Sequence, residues 1–531
     1  MQELLYRSDL GDGTYRNPIL FADYSDPDVI RSGDMYYMTS SSFNHTPGLP
    51  ILVSTDLVNW KLVNYAVDNI GEGFERPRHS EGIWAPSIRE HNGEYFIFYG
   101  MPDEGIFMIK TRNPLGKWSR PHNIFPGKGY IDSCPFWDDD GRAYVVHAFA
   151  KSRIGFNSKL AIFEISPDGE RKISDDRILF DGTDPSHPVK TIEGPKVYKK
   201  DGFYYILAPG GGVHDDGYQT ALRSRDINGP YEVKTVMASG GSGVPGPHQG
   251  GLVTDVNGND WFIHFSNRGL YGRITYLEPV SWQYGWLVIG VEKGIAGCGE
   301  PVDVYKKPEA SISCSTTYLD ASDDFIDGKY SISWQWMADH RPDFVKDHEG
   351  DGLILNAKNL TDKDEAVLWN CPNILAEKIV CPEFVFETCL DVRNLTEGDR
   401  AGVIMTGGVY AALEAVKSEN GVSIRRLMSE VSDSGSVSEK REAICDISTE
   451  ELREDGYEIK ICMRFVKPFM AETPLLTFSW AVNGTVKDAG IAFTPGKHTW
   501  VGAKTGIYAV AGKRGSGGSA LFKYVKVKNK E

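Results

Sequence analysis

Five segments in the first 300 residues share one pattern of polar and apolar positions. Each opens with a polar or aromatic residue, has an apolar residue four positions later, and continues through a glycine-containing turn into an aromatic-rich apolar run. Two apolar runs joined by such a turn predict a pair of antiparallel strands. The segments are DPDVIRSGDMYYM from Asp26, WAPSIREHNGEYFIF from Trp84, DSCPFWDDDGRAYVV from Asp132, EGPKVYKKDGFYYI from Glu193 and HQGGLVTDVNGNDWFI from His248.

The spacing of these segments indicates the architecture of the first half. Their starts lie 48 to 61 residues apart, which leaves room for two further strands in each unit. Four strands in each of five repeats predict a five-bladed β-propeller over residues 1–307. The innermost strands of a propeller run beside its axis, so we expect the five opening residues to meet in one hollow.

The second half has a different pattern. Near residues 304–314 the repeats stop, and the pair Lys307-Pro308 indicates a linker. Segments such as DGLILNA, EFVFETCLDV, YEIKICMRFV and LLTFSWAVNGTV then alternate in β fashion, and Asn483-Gly484 is a hairpin turn signal. Many short strands predict a two-sheet sandwich over residues 308–531. The expected fold class is therefore all-β, with a propeller followed by a sandwich.

Composition narrows the classes of partner. The 531 residues carry a formal net charge of -16, which disfavours nucleic acid and anionic membrane surfaces. No apolar run reaches the length of a membrane span, and the first residues lack the regions of a signal peptide, so a cytoplasmic location is expected. The eight cysteines form no CxxC pair, and we interpret them as reduced, mostly buried thiols.

The opening residues themselves suggest chemistry. Asp26, Asp132 and Glu193 are three carboxylates at equivalent repeat positions, and like charges drawn together cost free energy unless their perturbed ionisation has a use. Two carboxyl groups facing each other beside a sugar-stacking aromatic are what glycoside hydrolysis needs: one protonates the leaving oxygen, and the other activates water or attacks directly. A third can orient the proton donor and raise its pKa.

Eight motifs of the first half resemble glycoside hydrolase family 43, whose members are five-bladed propellers that cleave with inversion. The motifs occur in order and cover the whole first half. They are NPILFADYSDPDVIRSGDMYYMTSSSF from Asn17, STDLVNW from Ser54, WAPSI from Trp84, DSCPFWDDDG from Asp132, EGPKVY from Glu193, HQGGLV from His248, WFIHF from Trp261 and YGR from Tyr271.

This resemblance implies a role for each matching residue. Asp26 corresponds to the general base, Glu193 to the general acid, and Asp132 to the residue that orients Glu193 and tunes its pKa. The substrate-binding residues that it implies are Phe43 and Trp84 as apolar walls, Arg273 as a cation for sugar hydroxyls, and His248 near the centre, where similar enzymes sometimes hold calcium or another ion. Asp28 follows Asp26 by two positions, so strand spacing alone leaves it open as the base, while the family position favours Asp26.

The second half is similar to the concanavalin-like sandwich found in xylosidase and arabinofuranosidase members of the family. In those relatives the sandwich packs on the propeller and lends a loop to the pocket rim. The resemblance implies no required cofactor. Asp323 and Asp324 could hold a structural calcium, with turn carboxylates as the alternative interpretation.

The leading hypothesis is an exo-acting, inverting hydrolase that releases α-L-arabinofuranose or β-D-xylose from arabinoxylan oligosaccharides. Two alternatives remain at this point. One is a retaining propeller hydrolase of fructosides, which would use the early aspartate as nucleophile. The other is a catalytically silent sugar-binding propeller with a lectin-like sandwich.

Overall fold

The structure is a computed structural model that describes residues 5–213, 216–310, 317, 319–468, 473–496 and 499–529. Strands hold 52% of the residues and helices 4%, which confirms the all-β prediction. The α-helices are α1 (Lys151–Ile154) and α2 (Thr449–Glu454). Four single 3₁₀ turns cover Gly269–Tyr271, Ile326–Gly328, Pro342–Phe344 and Leu368–Asn370. No helix of the described residues has the length and apolar character needed to cross a membrane.

The described residues of the first half form 25 strands. They are β1 (Thr14–Arg16), β2 (Leu20–Asp23), β3 (Asp28–Ser32), β4 (Met35–Thr39), β5 (Gly48–Ser54), β6 (Lys61–Val67), β7 (Trp84–His91), β8 (Glu94–Met101), β9 (Gly105–Thr111), β10 (His122–Pro126), β11 (Tyr130–Trp137), β12 (Ala143–Phe149), β13 (Lys159–Ile165), β14 (Arg177–Asp181), β15 (Lys196–Lys200), β16 (Phe203–Gly210), β17 (Tyr218–Ser224), β18 (Glu232–Ala238), β19 (Gly250–Thr254), β20 (Asp260–Asn267), β21 (Arg273–Gln283), β22 (Trp286–Ile289), β23 (Val291–Glu292), β24 (Gly299–Glu300) and β25 (Val304–Lys306).

These strands form five sheets of four or more strands. The sheets run β3-β4-β5-β6, β7-β8-β9-β10, β11-β12-β13-β14, β15-β16-β17-β18 with β24 and β23 beyond it, and β19-β20-β21-β2 with β22 also on β21. Each hairpin predicted from the repeats is therefore the start of one sheet. The early strand β2 completes the fifth sheet, so the two ends of the first half meet there. The first strands of neighbouring sheets contact each other from β3 through β7 and β11 to β15, and β19 contacts β3.

The predicted linker begins as an ordered element. Strand β25 pairs with β1, and the Lys307 ammonium lies 2.6 Å from Asp9 and 2.8 Å from Asp56. Residues 304–307 therefore form a paired strand and two ion pairs, and they are not a free connection between the halves. Residues 311–314 of the predicted linker lie outside the described residues.

The described part of the second half forms 13 strands in two sheets. They are β26 (Gln335–Trp336), β27 (Leu353–Asn359), β28 (Ile374–Lys378), β29 (Phe384–Asp391), β30 (Arg400–Thr406), β31 (Ala411–Ser418), β32 (Gly421–Val431), β33 (Val437–Ser448), β34 (Glu458–Val466), β35 (Leu475–Val482), β36 (Thr485–Phe493), β37 (Lys504–Val510) and β38 (Gly515–Lys528). One sheet runs β26-β28-β37-β30-β31-β32-β33 and the other β27-β38-β29-β34-β35-β36. Alternate side chains of both sheets fill one core, which confirms the two-sheet sandwich. Asn483-Gly484 forms the predicted hairpin turn between β35 and β36.

The two halves pack closely on each other. One buried apolar cluster contains residues of both. Thr46 and Trp336 exchange backbone hydrogen bonds of 3.1 and 2.7 Å, and the Asp339 carboxylate accepts from the backbone amides of Ile70 and Gly71 at 2.6 and 2.7 Å. The expectation that the sandwich packs on the first half is thereby confirmed.

The seven described cysteines are free thiols, of which five are buried. Burial raises the pKa of Cys371, Cys381 and Cys389 to about 12. These thiols therefore act as small apolar side chains. Cys314 lies outside the described residues.

Candidate active site

Four of the five repeat-opening residues line one cavity of about 580 Å³. They are Asp26, Trp84, Asp132 and Glu193. The fifth, His248, is not among the residues that line this cavity. Its ring lies behind Glu193, with Nε2 3.6 Å from the Glu193 Oε1 atom. The equivalent positions of the repeats thus converge as expected, with the histidine one layer deeper.

Asp26 lies just before β3 and is 5% exposed. Its carboxylate accepts a 2.6 Å hydrogen bond from the Ser41 hydroxyl and two from the Arg273 guanidinium, at 2.8 and 3.0 Å. The Ser41 oxygen in turn accepts from the Ala85 backbone amide at 2.7 Å. A buried carboxylate is stable only when it is paired and hydrogen-bonded, and these contacts meet both conditions. Sequence reasoning found Arg273 but missed Ser41, which is one of three serines in a row.

Asp132 is directed into the cavity by an irregularity in β11. The pairing register with β12 shifts between Ile131 and Cys134, and Asp132 adopts a φ of 60°. Asp26 has a φ of 53°, so both acids occupy the left-handed region that aspartate tolerates better than most residues. Strand bulges re-aim side chains in this way next to active sites. Strained backbone at both candidate acids fits a functional origin.

The Asp132 carboxylate holds the segment that carries Glu193. Its Oδ2 atom accepts a 2.8 Å hydrogen bond from the Gly194 backbone amide. A Cβ atom at Gly194 would lie 2.5 Å from the side chain of Gln249, and its φ is 60°, so glycine is required here. Burial and then the charge of Asp26 raise the pKa of Asp132. The bond to Gly194 gives Asp132 the geometry of a residue that orients Glu193.

The Glu193 carboxyl group is suited to carry a proton near neutral pH. Burial raises its pKa to about 8, the charge of Asp132 adds to the rise, and the Arg273 guanidinium opposes it. The side chain keeps 23% of its surface exposed, on the side of the cavity. An acid with these properties can protonate a leaving group and then exchange with solvent.

Asp28 has a different environment from Asp26. It is fully buried, and one of its oxygens accepts from the Ile88 amide at 2.9 Å and from the Arg89 guanidinium at 2.7 Å. It does not line the cavity. The left-handed backbone of Asp26 precedes β3, so the two-residue alternation within the strand does not extend to it. Geometry therefore agrees with the family position in favouring Asp26.

Four aromatic rings line the cavity; three of them neighbour one another, and the fourth is that of Phe149. Phe43 and Trp84 have ring centroids 6.3 Å apart, and the Trp84 indole donates a 3.0 Å hydrogen bond to the Ser80 carbonyl. The third ring, Trp500, comes from the loop before β37, and its centroid lies 6.2 Å from that of Trp84. The expectation that the sandwich lends a loop to the pocket rim is thereby confirmed. The sequence analysis did not predict Trp500 itself, because the second half was interpreted only as the strands of a sandwich.

The described residues contain no group of three or more histidine, cysteine, aspartate and glutamate side chains placed to hold a metal ion. The Asp323 carboxylate instead accepts from the amides of Phe325 and Ser331 at 2.8 and 2.7 Å and from the Trp334 indole at 3.0 Å. Asp324 is exposed. Asp323 and Asp324 thus fit the turn-carboxylate interpretation better than a calcium site.

Family models match both halves of the chain. The model described as glycosyl hydrolases family 43 matches residues 15–287. The chain belongs to this family. A second model, the beta xylosidase C-terminal concanavalin A-like domain, matches residues 322–528. The family that the motifs predicted is therefore confirmed, and the second half of this family 43 protein is a concanavalin-like sandwich.

Individual relatives agree with this assignment. A putative beta-xylosidase of Xylanibacter ruminicola is 40% identical over 63% of this chain and 60% of that protein. A non-reducing end alpha-L-arabinofuranosidase of Bacteroides ovatus is 30% identical over 53% of this chain and 54% of that protein. The matched region thus spans less than two thirds of either relative. The solved structure of a GH43 glycoside hydrolase with an engineered active site superposes with a TM-score of 0.83 and 24% identity, over 97% of this chain and all of that one, and shows the shared fold.

Proposed function

We propose that this family 43 protein is an exo-acting, inverting glycoside hydrolase that releases α-L-arabinofuranose or β-D-xylose from arabinoxylan oligosaccharides. The observation that carries the proposal is the set of three carboxylates that line one cavity. Glu193 has a raised pKa, and the backbone amide of the next residue, Gly194, donates to Asp132. Asp26 accepts hydrogen bonds from Arg273. The names of the two relatives support these sugars, which present similar hydroxyl patterns to one pocket.

In the proposed reaction Glu193 donates its proton to the glycosidic oxygen as the bond to the anomeric carbon breaks. Asp26 removes a proton from a water molecule that attacks that carbon from the opposite face. The proton from water remains on Asp26, the leaving sugar carries the proton of Glu193, and exchange with solvent restores both groups. Inversion requires the two carboxyl groups to be about 6.5 to 9.5 Å apart, leaving room for the water.

We further propose that the five sheets of the first half are the blades of a propeller. Contacts between the first strands of neighbouring sheets, and from the fifth sheet back to the first, support this arrangement. The completion of the fifth sheet by β2 supports it too, because such a closure ties the first and last blades together.

The walls of the cavity support exo action. Phe43 and Trp84 come from the first half and Trp500 from the second, so aromatic residues of both halves line the cavity beside the carboxylates. A pocket of this kind accepts the end of an oligosaccharide more readily than the middle of a polymer. Arg273 also lines the pocket, where its guanidinium can donate to sugar hydroxyls while it holds Asp26.

The anomer that forms first tests the proposal. A proton NMR time course with an arabinose-substituted xylo-oligosaccharide should show early release of arabinose or xylose, with the anomeric configuration opposite to that of the bond cleaved. Release with retained configuration would favour a nucleophilic Asp26, as in the fructoside-type alternative. Tight oligosaccharide binding without release would favour the binding-module alternative.

The pH dependence tests the role of Asp132. Its negative charge raises the pKa of Glu193, and the neutral side chain of an Asp132→Asn variant can still accept from the Gly194 amide through its carbonyl oxygen. The alkaline limb of kcat/KM, which reports loss of the Glu193 proton, should therefore move to lower pH. Activity near pH 8 should fall by about tenfold relative to activity near pH 6. A limb that stays in place or moves to higher pH would contradict this role.

A further inference from the structure

The carboxylate of Asp23, at the end of β2, joins the two halves of the chain directly behind the cavity. Its Oδ2 atom accepts a 2.8 Å hydrogen bond from the Gly502 backbone amide of the sandwich. Its Oδ1 atom accepts a 2.9 Å bond from the Arg273 backbone amide and another from the Ser25 hydroxyl at 2.9 Å. Asp23 is 6% exposed and is not among the cavity-lining residues.

The two segments that meet at Asp23, residues 270–273 and 499–503, lie so close that their backbones are in contact. A Cβ atom at Gly502 would lie 2.7 Å from the Tyr271 carbonyl oxygen, and one at Gly272 would lie 2.5 Å from the Asp23 carboxyl carbon. The Ala503 amide donates a 2.7 Å hydrogen bond to the Leu270 carbonyl. Glycine at both positions lets residues 499–503, which we term the wall loop, lie directly on the turn before Arg273.

Both segments carry groups of the candidate active site. The wall loop presents Trp500 to the cavity, two residues before the Gly502 amide that Asp23 binds. The other segment presents the Arg273 side chain, whose guanidinium holds the Asp26 carboxylate and lies 5.3 Å from the Trp500 ring. One oxygen of the Asp23 carboxylate thus binds the backbone of the wall loop at Gly502, and the other binds the backbone of Arg273.

From this geometry we propose that Asp23 is a positioning residue of the active site, which sets the distance between the Trp500 wall and the Arg273–Asp26 ion pair. The proposal rests on the proposed function for its kinetic consequences. Asp23 touches neither the cavity nor the reacting atoms, so it acts through the groups that it accepts from, which are the two backbone amides and the Ser25 hydroxyl.

A carboxylate suits this position better than an amide. Both of its oxygens accept, whereas asparagine offers one acceptor and would direct an N–H group at the second amide.

The negative charge of Asp23 also acts on two lysines of the sandwich, Lys378 and Lys504, which lie opposite each other on β28 and β37. The charge favours the protonated form of both lysines. The pKa of Lys504 is well below its ordinary value because of burial and then the charge of Lys378, and Asp23 opposes that shift.

The test compares Asp23→Asn and Gly502→Ala with Asp399→Asn as the matched control. Asp399 is also a buried carboxylate that binds two glycine amides, that of Gly512 just before β38 and that of Gly518 within β38, and it does not line the cavity. We expect Asp23→Asn to lower kcat/KM on an aryl glycoside by about 10 to 100-fold, as displacements near 1 Å do. Asp399→Asn should lower the melting temperature to a similar degree and keep kcat/KM within about twofold of the parent.

A Trp500→Ala background separates the two routes through which Asp23 acts. The Cβ atom of Gly502→Ala would meet the backbone of Tyr271 and Gly272, so this variant disturbs the contact between the wall loop and the turn before Arg273. Removal of the Trp500 ring should diminish the effects of both Gly502→Ala and Asp23→Asn on kcat/KM, and what remains is the part that runs through Arg273. Undiminished effects of both variants in the Trp500→Ala background would overturn the proposal. So would equal losses of kcat/KM in Asp23→Asn and Asp399→Asn.

Hydrogen exchange gives a readout that needs no activity. Peptides covering residues 269–275 and 499–503 should exchange faster in Asp23→Asn than in the parent, with no such change in Asp399→Asn. Unchanged exchange in both peptides would overturn the anchoring role. If the parent hydrolyses no glycoside, the proposed function fails, while faster exchange would still support the link between the two segments.

Discussion

Replacing Glu193 by glutamine should lower kcat on a xylo-oligosaccharide by about 10² to 10⁴-fold, the usual contribution of a general acid. Glutamine has the same size as glutamate but lacks the acidic proton. The raised pKa of Glu193 keeps that proton on the carboxyl group near neutral pH. The loss should depend on the leaving group. An aryl glycoside with an acidic phenol needs no proton at the departing oxygen, so the Glu193→Gln variant should keep most of its activity on that substrate.

A second buried glutamate provides the control for this variant. Glu278 is fully buried, accepts from the Val302 amide at 2.8 Å and also has its pKa raised by burial, but it does not line the cavity. Steady-state kinetics of Glu278→Gln should stay near those of the parent on both substrates. Near-normal turnover of a natural oligosaccharide by Glu193→Gln would exclude Glu193 as the acid.

Replacing Asp26 by asparagine should lower kcat by about 10² to 10⁴-fold on every substrate, whatever its leaving group. The attacking water must lose a proton in each case, and asparagine cannot accept it. The variant keeps the hydrogen-bond acceptor for Ser41 and loses the charge that pairs with Arg273. Its melting temperature should be measured beside its kinetics, so that a folding defect is distinguished from lost chemistry.

The pair of variants distinguishes the two roles better than either alone. If the acidic-phenol substrate restores activity to Glu193→Gln and not to Asp26→Asn, the acid and the base are assigned as proposed. Rescue of Asp26→Asn by that substrate would instead place the proton donor at Asp26.

The repeats predicted the main features of the first half, because hydrophobic periodicity and turn residues are local signals. Each repeat start is the first strand of a sheet, and Asp26, Asp132 and Glu193 line one cavity because equivalent positions converge. The family motifs then added Phe43 and Arg273. Periodicity did not predict the left-handed backbone at Asp26 and Asp132, which depends on bulges and on hydrogen bonds to other segments.

Contacts between distant segments account for what the sequence could not show. The Gly502 amide and the Asp23 carboxylate are 479 positions apart, and neither residue belongs to a motif that contains the other. Trp500 reaches the cavity only because Gly502 and Ala503 lie on the turn before Arg273. His248 opens a repeat as the three acids do, yet its ring contacts Glu193 and does not line the cavity. The spacing of the repeats does not predict whether an opening side chain reaches the cavity or packs behind one that does.

The order of strands in the sandwich has a consequence for protein synthesis. Strand β37 lies between β28 and β30, and β38 lies between β27 and β29, so the last two strands of the sandwich occupy the interior of both sheets. Domains generally fold in order as a chain leaves the ribosome, and the sheets of the first half can form early. We expect the cavity to gain its Trp500 wall only after β38 has emerged, so the cavity is completed later in synthesis than the sheets that carry its carboxylates.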